Sequence, residues 1–163
     1  MTHRTRPCRS VCTLACFAVL LCVALTLASC GGSSSSEPFK VGFISSITQT
    51  PEYHNPKYTL GAAELAVKEI NAAGGVRYNG ENRPVIVISA DDQNRVEPAM
   101  SACRTLINQE KVDVIVGPFL SRNAIPVAAE AERAQVVMIS PSSTNPLTTA
   151  GKRFVFRMTF VDT

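Results

Sequence analysis

The sequence predicts an α/β fold in which helices cover both faces of a doubly wound parallel sheet. After residue 38, short apolar and β-branched runs alternate with longer segments whose apolar residues recur every three or four positions. This alternation is typical of βαβ units, which build a parallel sheet. Because crossovers in such units are right-handed, the strand-to-helix loops should all lie at one edge of the sheet, where ligands bind.

Five short apolar runs predict the strands of this sheet. They cover residues 39–45, 85–90, 112–116, 136–140 and 154–158. The run at 112–116 is apolar except for Asp113, and Gly117 and Pro118 end it. A nearly continuous apolar strand is typical of the centre of a parallel sheet, where both faces are covered.

Three amphipathic helices are expected between the strands. They cover residues 57–73, about 95 to 109, and 121–133. Gly74 and Gly75 end the first helix. We interpret Asn94 and Glu97 as a capping box that opens the second. Cys103 lies on the apolar stripe of that second helix, so we expect a buried and unreactive thiol.

Residues 1–29 have the pattern of a secretory signal. Three arginines precede a long apolar run, and no acidic residue occurs before Cys30. The sequence Leu-Ala-Ser-Cys at 27–30 resembles the lipobox of bacterial lipoproteins. This resemblance implies cleavage before Cys30 and lipid on its sulfur, with residues 30–38 as a flexible Gly/Ser tether. An ordinary secretory signal or an uncleaved membrane anchor is the alternative.

The charge distribution argues against a nucleic-acid partner. The net charge of +3 comes from the signal segment, because three of the sixteen basic residues and none of the thirteen acidic residues precede Cys30. The rest of the chain is therefore neutral overall, without the basic patch that nucleic-acid binding requires.

Residues 121–123 are the first candidate binding element. The N-terminus of a helix that begins at Ser121 directs free N–H groups and a positive dipole end at the loop edge of the sheet, which suits a carboxylate. The Ser121 hydroxyl and Asn123 add polar groups there. The alternative is an ordinary helix cap that binds no ligand.

Residues 142–144 form a second candidate element, at the same edge. Pro141 and Pro146 bound a loop that contains Ser142, Ser143 and Thr144. Their hydroxyl and carbonyl groups could bind an ammonium or a carboxylate group. A polar turn that satisfies its own backbone is the alternative.

The loop after the first strand contains Tyr53 and His54. Tyr53 could cover an apolar part of a ligand, and His54 could donate or accept a hydrogen bond. A solvated loop tip is the alternative.

No motif supports catalysis, a metal or a cofactor. His54 is the only histidine after Cys30, and the nucleophile-elbow, P-loop and dinucleotide-binding motifs do not occur. Asp91 and Asp92 could form a metal pair, but no other carboxylate or histidine has a matching spacing. We therefore interpret the two aspartates as a cap at the end of a strand. The expected protein is not an enzyme and needs no cofactor.

Several segments, in the same order along the chain, resemble type I periplasmic solute-binding proteins. The branched-chain amino-acid (Leu/Ile/Val) binding proteins of ABC transporters are the most similar group. The matching segments are Leu-Ala-Val-Lys-Glu-Ile-Asn-Ala-Ala-Gly-Gly-Val at 65–76, Asp-Asp-Gln at 91–93, Val-Gly-Pro with a following serine at 116–121, Ile-Ser-Pro-Ser-Ser-Thr-Asn-Pro at 139–146, and Arg-Phe-Val-Phe-Arg at 153–157.

The resemblance implies that residues 39–163 are the N-terminal lobe of a two-lobed, lipid-anchored receptor outside the cytoplasm. Such a receptor closes on a small solute and delivers it to a membrane permease driven by an ATPase. In the family the ligand's carboxylate and ammonium groups are held at the positions of Ser121, Ser142 and Thr144, with Ser143 as a neighbour.

Two departures from the family pattern are informative. The first loop lacks the family's Gly-Pro-x-x-Gly run, so the solute can be an amino acid other than a branched-chain one, or a related amide. The first crossing to a second lobe should fall near Thr163, so these residues alone should bind ligand weakly or not at all. A sensory lobe without transport is the alternative function, and an extracytoplasmic enzyme on a Rossmann-like sheet is the less favoured one.

Overall fold

The computed structural model describes residues 37–49 and 56–162. The predicted signal, the lipid site at Cys30, most of the tether, and Tyr53 and His54 lie outside the described residues.

The order of helices and strands agrees with the predicted α/β fold. The elements are β1 (Phe39–Ser45), α1 (Pro56–Ala72), β2 (Val76–Tyr78), β3 (Glu81–Arg83), β4 (Val85–Asp91), α2 (Val96–Thr105), a π-helical turn (Leu106–Glu110), β5 (Val114–Val116), α3 (Ser121–Ala134), β6 (Val137–Ser140), a 3₁₀ turn (Pro146–Thr148) and β7 (Val155–Arg157). None of the described helices is both long and apolar enough to cross a membrane.

Five of these strands form one parallel sheet in the order β4-β1-β5-β6-β7. The chain steps from β1 outward to β4 and then returns to the other side of β1, where β5 pairs with it. Phe43 in β1 therefore lies between Ser89 in β4 and Val116 in β5. The strand order reverses at β1, so the loops after β1 and β5 begin at the carboxyl edge on the two sides of a switch point, the usual ligand position in such sheets.

The main core lies between the sheet and the helices α2 and α3. Apolar side chains with no exposed surface come from both layers: Ile44, Ile115 and Met138 from the strands, and Ala99, Cys103, Ala124, Val127, Ala128 and Ala131 from the helices. The small residues on α2 and α3 let the two helices pack closely against the sheet and each other. The predicted burial of Cys103 is confirmed.

Helix α1 lies on the other face of the sheet, near β4. Leu60 and Val67 border a groove together with Val85 and Val87, whose side chains alternate with the ones that face α2. Among the described side chains of α1, none is fully buried, and Leu65 is 57% exposed. This helix is therefore the least covered of the three α-helices in the described residues.

Two local features differ from the sequence-based expectation. Strands β2 and β3 form an antiparallel hairpin that was not predicted, although Asn79 and Gly80, both with positive φ, are the residues that favour a two-residue hairpin turn. The prediction of a capping box formed by Asn94 and Glu97 is wrong. Arg95 is the N-cap of α2 without a side-chain cap bond, and the Asn94 side chain instead accepts a hydrogen bond from Arg122.

Candidate functional site

Gly117 brings the loop after β5 against the end of β1. Its φ is +98°, and a Cβ atom at this position would lie 2.0 Å from the carbonyl oxygen of Ile44. Only glycine fits this backbone conformation and this close approach. The amide of Gly117 also donates to the carbonyl of Ile139, at 2.9 Å. The start of α3 is therefore held at the switch point between β1 and β5.

The first turn of α3 presents polar groups at this edge. The N–H groups of Asn123 and Ala124 both donate to the carbonyl of Leu120. Within the described residues, the N–H groups of Ser121 and Arg122 have no backbone acceptor. With the positive end of the helix dipole, they make the edge beside Ser121 attractive to an anion.

The two loops that the sequence singled out meet through their serine hydroxyls. Ser143 Oγ donates to Ser121 Oγ at 3.0 Å, and it also lies 2.6 Å from Thr148 Oγ1. Because Ser121 accepts this bond, its own hydroxyl proton is available for another acceptor. Ser143 itself has no exposed surface. It therefore supports Ser121 from beneath.

Ser142 and Thr144 flank Ser143 and are directed differently. The exposed Ser142 hydroxyl donates to the carbonyl of Phe119 at 2.8 Å, which joins the two loops a second time. The Thr144 hydroxyl donates to the carboxylate of Asp162, and the Asp162 amide donates to the Thr144 carbonyl at 3.1 Å. Because the single hydroxyl proton of Thr144 is used in the hydrogen bond to Asp162, the Thr144 oxygen can only accept a hydrogen bond from a further group.

Asp162 was not identified from the sequence. It lies 18 positions after Thr144, beyond the last strand, in no motif that the sequence analysis recognised. A single exposed aspartate in such a segment carries no local signal of a binding role. Only the path of the chain after β7 brings it to this loop.

Asn123 lies below the edge rather than on it. It is fully buried, and its Nδ2 donates to Oδ2 of Asp92 at 3.1 Å. Asp92 is also buried, and its Oδ1 accepts from the Ser46 hydroxyl at 2.6 Å and the Asn94 amide at 2.8 Å. Within the described residues, Oδ1 of Asn123 has no hydrogen-bond partner. The Asp92 carboxylate thus joins the loops after β1 and β4 to the first turn of α3.

Asp91 holds the beginning of the first loop. Its carboxylate accepts hydrogen bonds from the amides of Ile47 (2.8 Å) and Gln93 (2.9 Å) and from the Thr48 hydroxyl. Burial raises the pKa of the Asp91 carboxyl, but the bonds from Thr48, Gln93 and Ile47 outweigh it and the net pKa is lowered. The described residues contain no group of three side chains that could hold a metal ion. The geometry at Asp91 and Asp92 is that of a strand-end cap.

A groove of about 480 Å³ lies elsewhere, between α2 and β4. Its walls include Ile88, Ala90 and Ala102 but neither Ser121 nor Thr144. We favour the serine-bearing edge as the candidate site because convergent polar groups at a switch point identify a ligand position better than volume does.

The sequence matches a family model described as periplasmic binding protein over residues 38–163. A Pseudomonas aeruginosa amino acid binding protein is 37% identical over 103 residues, which cover 63% of this chain and 26% of that protein. The Escherichia coli K12 Leu/Ile/Val-binding protein is 26% identical over 143 residues, which cover 86% of this chain and 36% of that protein. The chain thus spans about a third of the length of these curated relatives.

Solved structures show the same fold. The branched-chain amino acid transporter substrate binding protein LivJ of Streptococcus pneumoniae, crystallised with isoleucine, superimposes with a TM-score of 0.68 at 34% identity. The match covers 77% of this chain and 34% of that one. An ABC transporter substrate-binding protein of Desulfitobacterium hafniense in complex with Leu gives a TM-score of 0.64 at 30% identity, over 77% of this chain and 35% of that one.

Proposed function

This chain belongs to the periplasmic binding protein family, and from that premise we propose that it is the amino-acid-binding lobe of an ABC importer's substrate-binding protein. The family model is described as periplasmic binding protein and the relatives are named as binding proteins, which supports an extracytoplasmic role in binding and not in catalysis. In the proposed cycle, this lobe and a second one close on the ligand, and the complex delivers it to the permease and ATPase subunits.

The observation that carries the proposal is the contact between Ser143 and Ser121 at the N-terminus of α3. It leaves the Ser121 hydroxyl proton available as a donor beside the N–H groups of Ser121 and Arg122. Such a cluster of donors at a helix N-terminus suits a carboxylate. The carboxylate of the ligand would therefore lie against Ser121.

Thr144 and Asp162 supply the opposite polarity. The Thr144 hydroxyl donates to Asp162, so its remaining capacity is to accept, and the exposed Asp162 carboxylate adds a negative charge beside it. An ammonium group is the donor that fits both. A free α-amino acid carries an ammonium and a carboxylate on one carbon, so it can satisfy both ends of this edge.

The relatives suggest which side chain the amino acid carries. The Escherichia coli relative is named for leucine, isoleucine and valine, and the two solved structures contain isoleucine and leucine. We propose a branched-chain or similar amino acid, with Tyr53 in the first loop as a candidate for contact with its apolar part.

The binding test compares L-leucine with two analogues that each lack one charge, 4-methylpentanoate and 3-methylbutylamine. Because one lobe leaves the ligand half exposed, we expect weak binding, so amide shifts in NMR spectra of the chain are the suitable readout. L-leucine, L-isoleucine or L-valine should shift the amides of Ser121 and Thr144, and the analogues should not.

Ser121→Ala should abolish this response, whereas Ser101→Ala, which alters an exposed serine on α2, should preserve it. The assignment would be wrong if no amino acid shifted these amides, or if the single-charge analogues bound as well as leucine.

We also propose that Cys30 carries the lipid that anchors the protein to the outer face of the cell membrane. Cys30→Ala should remove fatty-acid labelling of the protein in a bacterial host and release it from the membrane fraction. Labelling that survives the substitution would exclude Cys30 as the lipid site.

A further inference from the structure

Arg157, the last residue of β7, uses its guanidinium group on the loop that contains Thr144. Its Nη1 donates to the carbonyls of Asn145 (2.9 Å) and Thr144 (3.4 Å), and its Nη2 donates to Thr149 Oγ1 at 3.1 Å. All three acceptors are neutral. In the described part of the chain, the ion pairs found involve other residues.

This arrangement is unusual for a half-buried cation. Removing a guanidinium group from water is unfavourable, and a carboxylate is its usual partner. Here the planar group meets three acceptors in one short segment, which gives directional, charge-assisted bonds. The charged side chain of Arg157 therefore fixes the direction of the loop that contains Thr144.

The sheet register explains why Arg157 reaches this loop. Arg157 lies opposite Ser140, the last residue of β6, and the following amide of Met158 donates to the Ser140 carbonyl at 3.1 Å. The loop begins directly after Ser140, so the end of β7 lies beside its start. The loop has no strand partner of its own, and Arg157 binds two of its consecutive carbonyls.

We infer that Arg157 is a positioning residue for the binding loop: its guanidinium group orients the peptides of Thr144 and Asn145, and thereby holds the Thr144 hydroxyl at the ligand edge. The effect of Arg157 on ligand binding rests on the proposed function, whereas its effect on the loop does not. The hold on the loop can be tested without any ligand.

The first test is hydrogen–deuterium exchange of the full chain in detergent solution. The amide of Thr148 donates to the Asn145 carbonyl, and those of Thr149 and Ala150 donate to the Pro146 carbonyl, so exchange at 148–150 reports the order of the loop. In Arg157→Met we expect exchange at these amides to rise by about tenfold, with unchanged exchange in β1 and β4.

Arg157→Lys and Arg153→Met complete the comparison. Lysine keeps the positive charge but lacks the planar guanidinium group. In Arg157→Lys, the exchange rates of the amides at 148–150 should therefore lie between those of the wild type and of Arg157→Met. Arg153 is an exposed arginine four residues earlier, and its substitution should change nothing in the loop. If Arg157→Met does not fold, Arg157→Lys alone decides. The inference would be overturned if the folded Arg157 variants exchanged the amides at 148–150 at the wild-type rate. It would also be overturned if exchange rose equally in the strands of the sheet.

The second test is a double-mutant cycle with L-leucine as the probe. If Arg157 acts through Thr144, Arg157→Met should weaken leucine binding by about tenfold in the wild-type background and much less in Thr144→Ala. Additive losses would mean that Arg157 does not act through Thr144. If the wild-type chain binds neither leucine nor any other amino acid, the proposed function fails, and the exchange result still decides whether Arg157 holds the loop.

Discussion

Asn123 donates its side-chain amide to the buried carboxylate of Asp92 at 3.1 Å, which ties the first turn of α3 to the end of β4. The same carboxylate accepts from the Ser46 hydroxyl after β1. One aspartate therefore sets the relative positions of three loops at the carboxyl edge, although it has only 1% of its surface exposed. The candidate site depends on this buried polar contact as much as on its own serines.

Removing the Asp92 carboxylate should destabilise the fold more than removing one of its partners. Asp92→Ala leaves two buried donors, Ser46 Oγ and Asn123 Nδ2, and the half-buried Asn94 amide without an acceptor, so we expect a loss of about 2–4 kcal/mol in the free energy of unfolding. Ser46→Ala deletes a single bond and should lose about 1 kcal/mol. Urea unfolding of both variants measures the difference. Equal losses would show that Asp92 does not organise the three loops.

Gly117 should tolerate no side chain. Gly117→Ala places a Cβ atom 2.0 Å from the Ile44 carbonyl oxygen at a φ of +98°, so either β1 or the loop must move. We expect a loss of about 3 kcal/mol or more in unfolding free energy.

Gly61→Ala is the matched control for this substitution. Gly61 lies within α1, where an added Cβ atom meets nothing within 4 Å. Alanine is the better helix former, so this variant should gain about 0.5–1 kcal/mol. A tolerated alanine at position 117 would show that the close approach of this loop to β1 is not required.

Asp91 should titrate below its ordinary pKa of 3.8. Because its pKa is lowered in the folded state, its contribution to stability is complete above pH 3.8 and is lost as the pH falls through the folded value. The amide shifts of Ile47 and Gln93 should follow this titration in NMR spectra. Asp91→Asn should remove the transition from both amides. A midpoint above 3.8 would mean that burial outweighs the hydrogen bonds.

Cys103 should be unreactive in the folded chain. Burial raises the pKa of its thiol to about 12, with the nearby Glu130 carboxylate acting in the same direction. Because the thiolate is the reactive form, alkylation by iodoacetamide at mildly alkaline pH should occur only on unfolding. Peptide mapping by mass spectrometry along a urea titration measures this. Modification of Cys103 before the unfolding transition would indicate local opening between α2 and the sheet.

Much of the fold could be predicted because its signals are local. The apolar periodicities of β1, β4, α2 and α3 report burial directly, and they located these elements to within a few residues. The serines at 121 and 142–143 follow strands of one parallel sheet. Because the crossovers between such strands are right-handed, the sequence was enough to predict that these serines lie at the same edge of the sheet. The β2–β3 hairpin was missed because its strands are three residues each, too short for periodicity to identify them.

The partners of these residues depended on the tertiary structure. Asp92 and Asn123 are 31 positions apart, and Arg157 contacts carbonyls 12 and 13 positions earlier. The sequence determined the types of segment and the edge at which polar loops gather, since both follow from local patterns and from chirality. The strand order and register decided which donor meets which acceptor, because hydrogen bonds between distant residues depend on where the packed sheet places them.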